Sequence, residues 1–277
     1  MGIKLVAIDM DGTTLNSDVK LDKQTRDTII RAIDAGVDVV PCTGRVFSQL
    51  PKDILDIPGL HYAITANGAR VIDVQNHNKA LYLNPMARDE MDKMIAILSR
   101  YELFIEAYIN GKSYMEQKCM DHPGDYGVPE EYFTLFRECC EPVADYDSLL
   151  AMMAENPVEK INIFCADMAI KAAVMLELKG KTKFIVTTSL KTNMEINDAT
   201  SHKGDGLSHL CQKLGIGQEE VMAVGDSNND YTMLQYAGLA VAMENGNDNV
   251  KQMADFITKT NDELGLAYAM DKFLFKH

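Results

Sequence analysis

Ile3-Lys4-Leu5-Val6-Ala7-Ile8-Asp9-Met10-Asp11-Gly12-Thr13 is the stretch that decides the fold class. Ile3 and Leu5 to Ile8 are apolar without alternation, the pattern of a strand buried on both faces of a parallel sheet. Such sheets bind ligands in the crevice beyond the carboxyl ends of their strands, so Asp9 is expected at the mouth of a site. Asp11 is its next neighbour on the same side, Gly12 lets the chain turn away, and Thr13 can hydrogen-bond the turn. Two carboxylates this close raise each other's pKa unless a cation or hydrogen-bond donors hold them, and a hard divalent metal would do so. A plain strand-ending turn uses the same residue types, so the rest of the chain must decide.

Working outward, Ile29, Ile30 and Ile33 repeat at helical spacing and Gly36 supplies a stop. Val37, Val39 and Val40 form a second apolar strand running into Pro41, Cys42, Thr43, Gly44 and Arg45, with another helical stretch behind it. This βαβα rhythm predicts parallel strands with right-handed crossovers. Ala63 to Thr65 reads as a third strand, and Asn67-Gly68 as a tight hairpin into Val71 and Ile72. The rhythm returns late in the chain. A helix over Leu207 to Leu214, stopped by Gly215, leads to the strand Val221 to Val224 and the polar loop Gly225-Asp226-Ser227-Asn228-Asn229-Asp230. A further strand near Leu239 to Ala242 precedes two helices. A parallel sheet would bring the polar loops to one edge, where Asp226 could meet Asp9 and Asp11.

Between these halves the texture changes. A Met-rich amphipathic helix (Met86, Met91, Met94, Ile95, Leu98) reads as packing, followed by alternating segments around Phe104 to Ile109 and Tyr114. Asp121 to Asp147 reads as a long loop with one short helix at most. Ile161 to Cys165, Met168 to Leu178 and Phe184 to Thr188 give strand, helix and strand. The expected organisation is a core of residues 1–83 and 191–277, with an α+β unit inserted over residues 84–190.

Composition narrows the function. The 277 residues carry a formal charge of −14 without any cluster of Lys and Arg, which argues against binding nucleic acid. No apolar run reaches membrane-spanning length, and six cysteines without a CxxC pair read as reduced thiols, so a cytoplasmic location is expected. No motif specifies an oligomeric state. Two partial motifs fail. Asp226, Asn228 and Asp230 mimic the start of an EF-hand, but Tyr231 and Ala237 stand where Gly and Glu are required. Gly180-Lys181-Thr182 mimics the end of a P-loop, but Met175 replaces its first Gly. His202, beside Lys203, reads as helix-entry polarity.

The remaining set suits phosphoryl transfer: a carboxylate nucleophile, a neighbouring carboxylate, a third from another strand, a hydroxyl and a Lys. Hydrolysis of phosphate monoesters is so slow uncatalysed that charge neutralisation and alignment must be extensive. The ordered residues Asp9 to Thr13, Thr43 with Gly44 and Arg45, Lys203, and Gly225, Asp226, Asn229 and Asp230 resemble the haloacid dehalogenase-like (HAD) phosphatase superfamily. They look most like its Cof-type branch of subfamily IIB sugar-phosphate phosphatases. The resemblance implies a Rossmann-like α/β core with an inserted α+β cap of the C2 type.

The resemblance also implies roles. Asp9 would be the nucleophile that carries an aspartyl-phosphate, and Asp11 the acid and then base. Asp9, Asp226 and the Asp11 carbonyl would hold Mg²⁺. Thr43, Gly44, Lys203 and Asn229 would bind phosphoryl oxygens, with Asp230 a metal-shell partner or an anchor for Lys203. Arg45 would bind substrate or pair with a surface carboxylate. The implied substrate is a small phosphorylated metabolite, and the cap would select its leaving group. The alternatives are a phosphomutase like the related phosphomannomutases, which must keep the phosphoryl group, and a catalytically silent phosphosugar-binding regulator. Retention of both Asp9 and Asp11 speaks for chemistry over binding alone.

Overall fold

The computed structural model describes residues 2–188 and 190–275. In chain order the first elements are β1 (Leu5–Ile8), α1 (Lys23–Asp34), β2 (Asp38–Pro41), α2 (Lys52–Leu55), β3 (Tyr62–Thr65), β4 (Arg70–Asp73) and β5 (Lys79–Leu83). Then come α3 (Arg88–Leu98), β6 (Phe104–Ile109), β7 (Lys112–Glu116), α4 (Gln117–Asp121), α5 (Phe133–Cys139), β8 (Cys140–Val143) and α6 (Tyr146–Glu155). They are followed by β9 (Val158–Phe164), α7 (Met168–Lys181), β10 (Ile185–Thr187) and β11 (Asn193–Asn197). The chain closes with α8 (Lys203–Leu214), β12 (Val221–Gly225), α9 (Tyr231–Tyr236), β13 (Leu239–Ala242), α10 (Asp248–Met253), β14 (Phe256–Ile257) and α11 (Gly265–Leu274). No helix among the described residues is long and apolar enough to cross a membrane.

Two compact units emerge. The first comprises the chain up to Gly44, Leu50–Leu83 and the chain from His202 onward; the second comprises Arg45–Gln49 and Asn84–Ser201. The first unit is built on a parallel sheet ordered β14-β13-β12-β1-β2. The unbroken apolar run of β1 follows from its place between β12 and β2 with a helix layer on each face. Val6 and Ile8 pack with Ile29 and Ala32 of α1 and Leu266 and Met270 of α11, while Leu5 and Ala7 pack with Leu207, Leu210 and Cys211 of α8. Both faces are covered, so polar residues have no favourable position between Leu5 and Ile8. In register, Ile8 stands level with Val224 and Pro41, which carries the loops after β1, β12 and β2 to one edge.

Two expectations for this unit change in detail. Ala63 to Thr65 is a strand, but β3 pairs antiparallel with β4 in a separate sheet ordered β3-β4-β5 and meets the end of β2 through the single parallel bridge Cys42 to Ile64. The helical stretch after β2 shrinks to a 3₁₀ turn over Phe47–Gln49 and the four-residue α2, with Pro51 immediately before it. Proline lacks the N–H that would carry one helix across that point.

The second unit is a sheet ordered β10-β11-β9-β6-β7-β8, antiparallel except for the β7/β8 pair. Met86, Met91, Met94 and Leu98 are buried in its core, as their helical spacing suggests. The expected loop over Asp121 to Asp147 instead contains α5, β8 and the start of α6. Pro142 disguises β8, and a proline is tolerated there because β8 lies at the sheet edge. The expected boundary at Leu190 also moves: β11 pairs with both β9 and β10, so the unit continues to Ser201. Its polar reading, Asn-Met-Glu-Ile-Asn, conceals the fully buried Met194 and Ile196. Near the ends of the inserted stretch, Asn84 Nδ2 donates to Thr200 Oγ1 at 3.0 Å.

Ile196→Ala should destabilise the second unit by about 2–5 kcal/mol, the cost of a large-to-small change in a close-packed core. Denaturant unfolding measures it, and a loss within the range of ordinary surface substitutions would return residues 193–197 to a peripheral segment.

Candidate active site

The site grows from the ends of β1 and β12. Asp9 follows β1 directly, and its N–H donates to Val224 O at 3.0 Å, which continues the parallel ladder past Ile8. The carbonyl of Asp9 accepts from Thr14 Oγ1 at 2.5 Å. Gly12 turns the loop at φ +81°, and a Cβ there would stand 2.7 Å from Asp226 Oδ2, so both the backbone and the close approach require glycine. Thr13 Oγ1 donates to Asp226 Oδ1 at 3.1 Å. The first motif is thereby tied to the last.

Lys203 is the first residue of α8, after the N-cap His202, whose Nδ1 accepts from Asp205 N at 3.0 Å. The side chain of Lys203 is fully buried. Its Nζ lies 2.5 Å from Asp9 Oδ1 and 2.6 Å from Asp230 Oδ1. Asp230 Oδ2 accepts from the N–H groups of Asp226 and Ser227, each at 2.9 Å. Asp230 is therefore the anchor that fixes Lys203 on one oxygen and the β12 loop on the other.

Oxygen atoms of Asp9, Asp226 and Asp230 lie within 4.8 Å of one another. Burial raises the Asp9 pKa well above the ordinary carboxylate value, Asp230 adds to the rise, and Lys203 opposes it. Burial likewise pushes Asp226 up to about 6, helped by Asp230. Burial works against the charge of Lys203, but Asp230 and Asp9 outweigh it and hold the ammonium above its ordinary pKa. Hard oxygen donors with this surplus of negative charge fit a divalent cation. Because both oxygens of Asp230 already accept hydrogen bonds, the cation-binding capacity falls mainly to Asp9 and Asp226.

The other expected residues divide. Asp11 is exposed at the turn after Asp9. Thr43 is buried; its N–H donates to Ile64 O at 2.9 Å and its carbonyl accepts from Asn67 N at 3.0 Å, with Gly44 following. Asn229 is exposed on the β12 loop, where its Oδ1 accepts from Ser227 Oγ at 2.6 Å and its Nδ2 donates to Asn67 Oδ1 at 3.2 Å. Arg45 belongs to the second unit, where Nη1 donates to Gln49 O at 3.3 Å. Sequence reasoning missed the part of Asn67, because an Asn-Gly pair between two strands is also the commonest hairpin signal.

With this edge described, comparison with known proteins identifies the class: the chain belongs to the haloacid dehalogenase-like hydrolase family, whose profile matches residues 6–270. It is a phosphatase. Among curated relatives, it is 33% identical to the 5-amino-6-(5-phospho-D-ribitylamino)uracil phosphatase YwtE of Bacillus subtilis, over 98% of each chain. It is 32% identical to a second B. subtilis phosphatase of that name, YcsE, over 97% of this chain and 94% of the relative. The crystal structure of a haloacid dehalogenase-like hydrolase from Bacteroides thetaiotaomicron superposes with a TM-score of 0.81 at 27% identity, covering 98% of this chain and 99% of the other.

With Asp226 at about 6 when folded and at about 4 when unfolded, the folded chain holds the extra proton between those values. Ionisation of Asp226 therefore costs stability as pH rises through that window. In chelator-treated protein, Asp226→Asn should gain melting temperature relative to wild type as pH rises from about 4 to about 6. Adding a divalent cation above that window should stabilise wild type more than the variant. A difference independent of both pH and cation would contradict the shift.

Proposed function

We propose that the chain is a Mg²⁺-dependent phosphomonoester hydrolase of small phosphorylated metabolites, sugar or polyol phosphates among them, working through an aspartyl-phosphate on Asp9. The observation that carries this reading is Lys203, buried between Asp9 and Asp230 at the sheet edge. The ammonium holds one oxygen of Asp9 and so presents the other to a phosphorus atom. The names of the B. subtilis relatives support a substrate whose phosphate is carried on a ribityl chain.

In the first step, Asp9 Oδ2 attacks phosphorus and the ester P–O bond breaks, while Asp11 gives its proton to the departing oxygen. In the second, Asp11 takes a proton from water, which attacks the same phosphorus and releases phosphate and the Asp9 carboxylate. Asp11 suits both steps because its side chain is exposed at the turn after Asp9. Mg²⁺, held by Asp9, Asp226 and the Asp11 carbonyl, would neutralise phosphoryl charge and help align it. Thr43, the Gly44 N–H, Lys203 and Asn229 would receive the phosphoryl oxygens, each donor favouring the charge that gathers on them in the transition state. The inserted stretch over residues 84–201 would act as a cap that selects the leaving group.

Phosphate release from a panel of sugar and polyol phosphates, with and without Mg²⁺, tests the reading. Asp9→Asn should remove turnover by several orders of magnitude without changing the melting temperature by more than a few degrees. Chelation should stop wild-type release and Mg²⁺ restore it. Substantial turnover by Asp9→Asn, or by metal-free wild type, would reject the reading. Isomerised sugar phosphate in place of free phosphate would indicate a mutase.

A further inference from the structure

The connection between β3 and β4 is more elaborate than its strands require. Thr65 faces Arg70 across the ladder, leaving four residues in a link that an Asn-Gly pair could make with two. Three consecutive residues of that link, Ala66, Asn67 and Gly68, have φ of +51°, +56° and +95°. Glycine adopts this region without cost and asparagine tolerates it, but alanine does not favour it. All three residues are buried. A strained, buried turn persists only when its surroundings hold it, and such turns gather at functional sites.

Its contacts name that site. The Asn67 N–H donates to the carbonyl of Thr43. A Cβ on Gly68 would lie 2.1 Å from the carbonyl oxygen of His202, so the turn is pressed against the residue before Lys203. Asn67 Oδ1 accepts from Asn229 Nδ2 at 3.2 Å. One turn therefore touches the segments carrying Thr43, Lys203 and Asn229, three groups drawn from separate parts of the sequence.

The contact with Asn229 carries chemical information. A primary amide presents a carbonyl oxygen on one side and two N–H donors on the other. Ser227 Oγ, 2.6 Å from Asn229 Oδ1, can donate or accept, whereas Asn67 Oδ1 can only accept, so the bond to Asn67 selects the orientation with the amide nitrogen turned toward it. The second N–H is then left to donate to an anion. Were the amide reversed, its oxygen would meet that anion and repel it. We infer that Asn67 is a positioning residue for phosphoryl recognition, fixing the orientation of the Asn229 amide so that it offers a donor to the substrate's phosphate. This inference rests on reading Asn229 as a phosphoryl-oxygen donor.

A double-mutant cycle tests it in the full chain. Asn67→Gly retains the positive φ and removes the side-chain amide, and its melting temperature reports whether the turn survives the change. The measurements are competitive inhibition by inorganic phosphate, kcat and KM on an aryl phosphate, and thermal unfolding, for wild type, Asn67→Gly, Asn229→Ala and the double variant. Asn67→Gly should weaken phosphate inhibition about tenfold, the scale of one lost hydrogen bond to a charged group. The double variant should be no worse than Asn229→Ala alone, because Asn67 acts through that amide. Wild-type phosphate inhibition in Asn67→Gly, with Asn229→Ala impaired, would overturn the inference and leave the role of Asn229 standing. So would losses that multiply in the double variant. Unchanged inhibition in Asn229→Ala would reject the role of Asn229 itself, and the inference with it.

Discussion

The ammonium of Lys203 is the interaction on which the site depends. Lys203, Asp9 and Asp230 are all essentially buried, and removing three charges from water is expensive unless they satisfy one another. The lysine also begins α8, where the helix dipole disfavours positive charge. Two carboxylates within 2.6 Å reverse that preference. The balance is still incomplete, since Asp226 brings a third carboxylate against a single lysine. Burial, reinforced by the charge of Asp230, lifts the pKa values of Asp9 and Asp226, and the surplus of negative charge suits the cluster to a further cation.

Nothing local to any one segment creates this arrangement. The parallel sheet does so by register, bringing the ends of β1, β2 and β12 level. Short side-chain bonds then convert a shared edge into a defined geometry: Thr13 reaches Asp226, and Asp230 receives two backbone N–H groups of its own loop. Gly12 is the steric condition for the first of these, because a larger residue would occupy the space of the Asp226 carboxylate. Fold and site share the same constraint, the close approach of two loops across neighbouring strands.

The sequence revealed those parts whose signal is local. An apolar run ending in Asp9, Asp11 and Gly12 marks a buried strand and its mouth, and the same logic exposes Val221 to Asp230. Lys203 is different, because one lysine among many carries no signal until the acidic motifs give it partners. Asn67 was visible as a turn residue, yet its positive φ and its bond to Asn229 depend on tertiary structure. In the second unit, β8 and β11 escaped because Pro142, Glu141 and the flanking asparagines break the patterns by which strands are recognised. Pairing with β7, β9 and β10 supplies what local propensity lacks. Arg45 follows a motif residue in sequence but packs with the second unit, a distinction that adjacency in the chain cannot convey.

On the proposed reading, the buried lysine prepares Asp9 to receive the phosphoryl group. The most direct test is to quench wild-type enzyme during turnover, reduce any acyl phosphate with borohydride, and locate the modified residue by mass spectrometry. Conversion of Asp9 to homoserine, absent without substrate, is the predicted result. Modification at another residue, or none while phosphate is being released, would contradict it.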